Sequence, residues 1–267
     1  MELACFSIDY HAARGLFLFG VDLMELNRLY HMDCMEGMKN FPDGHFELAV
    51  VDPPYGVGAI TYTPGERISA PGGYIDKYDV TVSTFAAQTG VRGKGRLNVE
   101  RKDLSKSTIR GFGDYNEAPP PKYFKELFRV SKNQLIFGGN YFLLPPSRGF
   151  AVWRKTHVPF NFSMAMCEYI WTSFNANAKI FEANPQGKPG ERIHPTQKPV
   201  KLYKALLEHY AKPGDKILDT HVGSGSSLIA CHDTGHDYVG FELDADYHAA
   251  ATKRIEEHKA QMSIMET

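Results

Sequence analysis

Asp215-Lys-Ile-Leu-Asp219-Thr220-His221-Val222-Gly223-Ser224-Gly225-Ser226-Ser227 is the stretch that decides the fold class. Pro213-Gly214 marks a turn just before it. Lys216–Asp219 reads as a short strand, and Leu228-Ile229-Ala230 carries a helix onward from the serines. The next stretch, His236-Asp-Tyr238-Val-Gly240-Phe241-Glu242, reads as a second strand ending in an acid. Strand, glycine turn, helix and strand make a βαβ unit. An acid about twenty residues past the glycines stands where a ribose-binding carboxylate stands in nucleotide-binding units of this kind. Gly223 and Gly225 let the backbone approach a ligand closely, and the N–H groups opening the helix favour an anion. No Gly-Lys-Ser or Gly-Lys-Thr follows, so this is not an NTP-type phosphate loop. The residues support a nucleoside-bearing cofactor, NAD included.

Strands and helices alternate along the rest of the chain. Arg28–Met32 reads as a strand ending at Asp33, and Phe46–Val51 is a short apolar run. A helix over about Pro121–Val130 precedes a strand at Gln134–Phe137. Phe150–Arg154 and Met166–Thr172 flank a turn region at Val158-Pro159, which predicts an antiparallel pair. Val200–Tyr210 has Leu202, Ala205, Leu206 and His209 at helical spacing, and a last helix runs from about Ala245 to Lys259. This alternation predicts one α/β domain over residues 1–267, with a mostly parallel sheet covered on both faces. Trp153, Phe160, Phe162 and Trp171 read as core.

The run Phe46–Val51 stops at Asp52-Pro53-Pro54-Tyr55, because two prolines cannot continue a ladder. A carboxylate, a stiff turn and an aromatic ring at a strand tip suit a planar amino group. The carboxylate accepts one N–H, a proline carbonyl accepts the other, and the ring stacks on a base. The same residues would also serve as a plain strand end with a helix-capping Asp.

Bulk properties exclude several classes. The chain has 267 residues and 43% hydrophobic content, ordinary for a globular domain. No apolar run reaches the length of a membrane span, and Leu16-Phe17-Leu18-Phe19 lacks the flanks of a signal peptide. Cys5, Cys34, Cys167 and Cys231 have no paired spacing, so they read as reduced cytoplasmic thiols and no metal site is expected. Net charge is -1, which argues against a strongly basic nucleic-acid binder. The charge is uneven, however. Val91–Arg110 holds seven bases, among them Arg92, Lys94, Arg96, Arg101 and Lys102, against Glu100 and Asp103. This run lies in a Gly-, Ser- and Thr-rich insertion over 56–114, long for a structureless loop in a compact domain. It reads either as a solvated loop or as a DNA-contacting element, and the polar segment 175–192 is a second candidate for recognition.

Together the blocks resemble the β-class adenine-N6 DNA methyltransferases. Asp52-Pro53-Pro54-Tyr55 comes first, His194-Pro195-Thr196-Gln197-Lys198-Pro199 follows, and the Gly223-Ser224-Gly225 turn and Glu242 come last, which is the permuted motif order of that class. Asp33-Cys34, Ile136-Phe137-Gly138-Gly139-Asn140 and Cys167-Glu168-Tyr169-Ile170-Trp171 add to the likeness, which spans roughly residues 28–258. His221 stands where a Phe is common, and Ser226-Ser227 stand where threonines are usual. The resemblance implies a Rossmann-like, circularly permuted fold whose seven-stranded sheet has one reversed strand. It implies S-adenosyl-L-methionine (AdoMet) as cofactor and double-stranded DNA as substrate; homodimers are frequent in the family. Cofactor contacts are expected from Asp33, Cys34, His194, Thr196 and Lys198. Further contacts are expected from Asp219, His221, Gly223, Ser224, Gly225, Ser226, Glu242 and Leu243. On local sequence alone, Asp33 also fits a turn or helix cap, and the His194–Pro199 stretch also fits a helix start.

An exocyclic amino group is a poor nucleophile, because its lone pair is delocalised into the ring. Acceptors out of the ring plane, here Asp52 and the Pro53 carbonyl, would help the nitrogen become tetrahedral and stabilise charge developing there. An aniline-like N–H is too weak an acid for a carboxylate to remove first. A duplex hides that group, so the base must flip out at a cost of a few kcal/mol, and stacking on Tyr55 returns about 1–3 kcal/mol. Cytosine N4, an RNA base or a protein glutamine are alternative acceptors of the methyl group. A nicotinamide-dependent dehydrogenase would leave Asp52-Pro-Pro-Tyr55 without a role, and a silent DNA-binding module is distinguished only by assay.

Overall fold

The computed structural model describes residues 24–56, 117–158, 165–185 and 192–265, with side chains to 262. The chain runs β1 (Arg28–His31), α1 (Cys34–Met38), β2 (Phe46–Val51), α2 (Pro121–Val130), β3 (Ser131–Phe137) and a 3-10 turn at Gly139–Tyr141. It continues through β4 (Phe150–Lys155), β5 (Cys167–Thr172), β6 (Lys179–Ala183), α3 (Val200–Tyr210), β7 (Lys216–Asp219), α4 (Ser226–Asp233), β8 (Asp237–Glu242) and α5 (Ala245–Met265). The strands form an eight-stranded sheet of order β1-β8-β7-β2-β3-β5-β4-β6. Pairing is parallel from β1 through β3 and between β4 and β6; β5 is antiparallel to both neighbours and is the reversed strand.

The α/β reading and the single reversed strand match this topology, but the sheet has eight strands where seven were expected. The additional strand is β6, inside the segment read as polar and irregular. Lys179-Ile-Phe-Glu-Ala is short and mostly exposed, and among the described residues it pairs with β4 alone, at the sheet edge. An edge strand with a wet outer face carries little hydrophobic periodicity, so propensity alone misses it.

Period-2 alternation along β2 divides the core. Leu48 and Val50 face one cluster with Leu202 and Leu206 of α3 and Leu228 and Ile229 of α4. Ala49 and Val51 face the other, with Phe124 and Leu127 of α2, Met38 of α1 and Phe241 of β8. Burying each such side chain is worth about 1.5–3 kcal/mol, so both faces of the central strands are firmly covered. Pro121 opens α2, where a missing N–H costs nothing. Arg129 near its end donates to the carbonyls of Phe41 (2.9 Å) and Met38 (3.1 Å), fixing α1 at the sheet margin.

The connections place the site. β2 continues through α2 to β3 on one side, and β7 continues through α4 to β8 on the other, although β2 and β7 are neighbours. Such a divergence opens a crevice beyond the carboxyl ends of the two strands.

Candidate active site

Four adjacent parallel strands bring four acids to one end of the sheet. In spatial order, Asp33 follows β1, Glu242 ends β8, Asp219 ends β7 and Asp52 follows β2. Register aligns them: His31 pairs with Glu242, Asp219 with Gly240, and Ala49 with Leu218. Residues up to 209 positions apart in the chain thus converge on the crevice.

On the β2 side, Asp52 lies at the strand tip beside buried Pro53. Its Oδ1 accepts from the Tyr55 hydroxyl at 2.8 Å, and its Oδ2 accepts from the Lys198 ammonium. Burial and the neighbouring Asp52 carboxylate keep Tyr55 in its phenol form. The Tyr55 ring is stacked on Tyr141, centroids 4.9 Å apart and planes 16° from parallel, and Tyr141 is half exposed. Gly138 makes this possible. It is left-handed (φ 64), and a Cβ there would lie 2.3 Å from the Tyr55 ring.

On the β7 side, Asp219 is buried and both its oxygens are engaged. Oδ1 accepts the His221 N–H at 3.0 Å, and Oδ2 accepts from the Ser227 hydroxyl. Burial pushes its carboxyl up to about 7. Asp219 therefore holds the turn from beneath. Glu242 does the same from β8: Oε2 accepts the Gly223 N–H at 2.7 Å and Oε1 the Asp244 N–H at 2.9 Å. Burial raises the Glu242 carboxyl above its usual value. Gly223 and Gly225 both have positive φ (54° and 78°), as the glycine-turn reading requires. Ser224 and Ser226 are buried, and Arg254 of α5 donates to the Ser224 carbonyl (2.7 Å) and the Ser226 hydroxyl (2.9 Å).

The other expected residues fall around this turn. His194 packs edge-on against Tyr247, centroids 4.4 Å apart, and its ring lies 3.5 Å from where a Gly223 Cβ would be. Burial lowers its pKa to about 4, so the ring is neutral near pH 7. Its Nδ1 accepts from the Thr196 N–H at 3.3 Å, leaving Thr196 exposed above the turn. Burial likewise lowers His221 to about 4. Its Nδ1 is 2.9 Å from the Thr220 hydroxyl, which is itself 2.6 Å from the buried Tyr123 hydroxyl. Asp33 caps α1 through Oδ1, accepting from Met35 N–H at 2.7 Å, as its helix-cap reading requires. Burial, followed by the charge of Asp33, pushes the Cys34 thiol up to about 12, so this sulfur is inert packing. Leu243 is exposed, and its carbonyl lies 3.1 Å from His31 Nε2.

Lys198 makes contacts that no sequence pattern indicated. The motif order placed it with the cofactor, and the structure sets its ammonium on Asp52 and near Glu168 of β5. Glu168, Lys155 and Tyr141 complete the Asp52 surroundings, and none had a role in the sequence reading. Each sits on a different element, so no spacing pattern could connect them. Trp153 and Trp171 are buried as expected. Arg92, Lys94, Arg96, Arg101 and Lys102 lie outside the described residues, as do Phe160, Phe162, Cys5, most of the 56–114 insertion and residues 186–191. Among the described residues, no group of three or more His, Cys, Asp or Glu could hold a metal ion, and no helix is long and apolar enough to cross a membrane.

Residues 151–253 match the family model for N6/N4 DNA methylases. The match spans the β4–β6 strands, the glycine turn and the first part of the last helix. The chain is 25% identical over 256 residues to a protein described as a putative methylase, YubD, of Escherichia coli (strain K12), covering 86% of this chain and 90% of that protein. It is 25% identical over 280 residues to the type II methyltransferase M.HinfI of Haemophilus influenzae, covering 90% and 71%. Among solved structures, the M1.HpyAVI–SAM complex matches with a TM-score of 0.46 and 18% identity, covering 85% of this chain and 98% of that chain.

Proposed function

We propose that the protein transfers the methyl group of AdoMet to the exocyclic N6 amino group of an adenine flipped out of duplex DNA. One observation carries this reading. The Asp52-Pro-Pro-Tyr55 tip and the Asp219–Gly225 turn stand side by side, because β2 and β7 are paired in parallel at the point where their connections diverge. A methyl donor on one side and an amino group on the other would meet across that crevice.

The residues on the β7 and β8 side fit AdoMet chemically. Glu242 offers acceptor lone pairs for ribose hydroxyls, and the exposed Asp33 keeps Oδ2 for an amino group. The N–H groups opening α4 favour the methionine carboxylate. AdoMet when bound supplies a methyl group activated for direct displacement. The chain's own contribution is positional and electrostatic. Asp52 and the Pro53 carbonyl accept the two N–H bonds and draw the nitrogen lone pair out of the ring plane. Their negative potential then stabilises the positive charge that develops as nitrogen takes the methyl group and the methyl–sulfur bond breaks, and the methylated nitrogen, now acidic, passes its surplus proton to Asp52. Tyr55 leaves Tyr141 or shares its face with the incoming base.

Aspartate rather than serine at position 52 supports adenine over cytosine, by the resemblance of the motif to the adenine enzymes. The test is methyl transfer from labelled AdoMet to unmethylated DNA, followed by nucleoside analysis. N6-methyladenine is expected, and Asp52→Ala should lose it almost completely, a barrier increase of roughly 2.7–4 kcal/mol. N4-methylcytosine would move the target to cytosine, and an unmodified DNA would refute amino methylation.

A further inference from the structure

Four charges of alternating sign form a line that ends on Asp52. Lys155 Nζ lies 2.7 Å from Glu168 Oε1, Lys198 Nζ lies 3.5 Å from Glu168 Oε2, and Lys198 donates to Asp52 Oδ2. The two lysine side chains are only 9% and 5% exposed. The Lys198 ammonium is walled by the Phe137 ring, 4.7 Å to its centroid. The line joins β4, β5 and the segment entering α3 to the strand tip that carries the chemistry.

The acceptors along this line are unevenly used. Asp52 has both oxygens engaged, one by Tyr55 and one by Lys198. Glu168 Oε2 is buried and has no hydrogen-bond partner, with an ammonium 3.5 Å away. A buried carboxylate oxygen without a donor is costly, which favours an arrangement that satisfies it. A cation on Asp52 is equally unfavourable for the reaction, because the attacking nitrogen becomes positive beside it.

We propose that Lys198 is a mobile guard of Asp52, with Glu168 as its second berth. In the free enzyme the ammonium covers Asp52. When the target amino group reaches Asp52, the Lys198 side chain swings to Glu168 Oε2, closing the 3.5 Å gap to hydrogen-bond length and giving up its bond to Asp52. Asp52 is then open to accept an N–H, and the cation is withdrawn from the reacting nitrogen and neutralised. Lys155 holds Glu168 in place through its other oxygen. Lys198, Glu168 and Lys155 are positioning residues, since they act through Asp52. This assignment rests on the amino-methylation reading of the site.

The guard predicts a reversal that packing alone would not produce. Glu168→Gln weakens the second berth and strands Lys198 on Asp52. Its kcat should fall about tenfold or more, with the AdoMet dissociation constant unchanged. Adding Lys198→Met to Glu168→Gln removes the stranded cation, and kcat should recover by about threefold or more. A double variant no more active than Glu168→Gln, with wild type fully active, overturns the guard and leaves the amino-methylation reading standing. Wild-type enzyme that transfers no methyl group to DNA overturns both. Should Glu168→Gln fail to fold, the 15N resonance of the Lys198 ammonium in the wild type decides. It is identified by its loss in Lys198→Arg. It should move when S-adenosylhomocysteine and a duplex that the wild type methylates are added, and an unmoved resonance at saturation refutes the guard.

Discussion

Gly138→Ala separates a steric role from a backbone one, with Gly214→Ala as its control. Both glycines are left-handed, φ 64 and φ 84. Alanine in that conformation costs about 1–2 kcal/mol at either site. At Gly214 nothing lies within 4 Å of the added Cβ, so the backbone cost is the whole effect. At Gly138 the new methyl would lie 2.3 Å from Tyr55 Cε1 and 2.6 Å from Cζ. The ring is held by its stack on Tyr141 and its hydroxyl bond to Asp52, so it cannot move without losing one of them. Overpacking of this kind adds about 1–3 kcal/mol. Urea denaturation should therefore show Gly138→Ala less stable than Gly214→Ala by that margin. A displaced Tyr55 no longer stacks on a flipped base, a loss of about 1–3 kcal/mol. This amounts to roughly 5- to 150-fold in kcat/KM for DNA at about 1.4 kcal/mol per factor of ten. AdoMet affinity should hold, because its proposed pocket is built on β7 and β8. If the two variants match in stability and in kcat/KM, the Gly138–Tyr55 contact has no part in positioning the ring.

Three further outcomes follow from the same geometry. Glu242→Ala should weaken AdoMet binding by roughly 1.5–3 kcal/mol in calorimetric titration. It should also lower the unfolding midpoint of the ligand-free protein, since the Gly223 N–H loses its acceptor; an unchanged midpoint would confine Glu242 to the ligand. The Asp219 carboxyl, pushed by burial from 3.8 up to about 7, favours its protonated form in the folded state. Its contribution is fully present below about pH 4 and is lost as pH rises to about 7, on the order of 4 kcal/mol across that window. Asp219→Asn should flatten the stability–pH curve there, and parallel curves for variant and wild type would contradict the assignment. Replacing Arg92, Lys94, Arg96, Arg101 and Lys102 together with alanine should flatten the salt dependence of DNA binding by up to about four units in log–log slope. Coincident slopes would make that run a solvated loop and shift recognition toward residues 175–192.

The sequence by itself determined the class of fold and carried the residues on which the proposed chemistry rests. Lys216–Asp219 with its glycine turn, and Phe46–Val51 stopped by two prolines, are local features whose periodicity and breakers are written in consecutive residues. Helices α2 and α3 lie where their patterns and prolines predicted. Only the tertiary structure decided which groups meet. Lys198 follows Asp52 by 146 positions, and no spacing rule places its ammonium on that carboxylate or Glu168 beside it. Likewise, Asp219 and Glu242 read as ligand contacts, and only the packed structure shows that their oxygens also brace the turn, because a buried glycine loop must satisfy its N–H groups. β6 escaped for the opposite reason. An edge strand is defined by the neighbour it pairs with, and Lys179-Ile-Phe-Glu-Ala records its partner nowhere in its own residues. Hydrophobic pattern is a one-dimensional signal, whereas ion pairing, strand neighbours and the sharing of acceptors depend on which distant segments the packed sheet brings together.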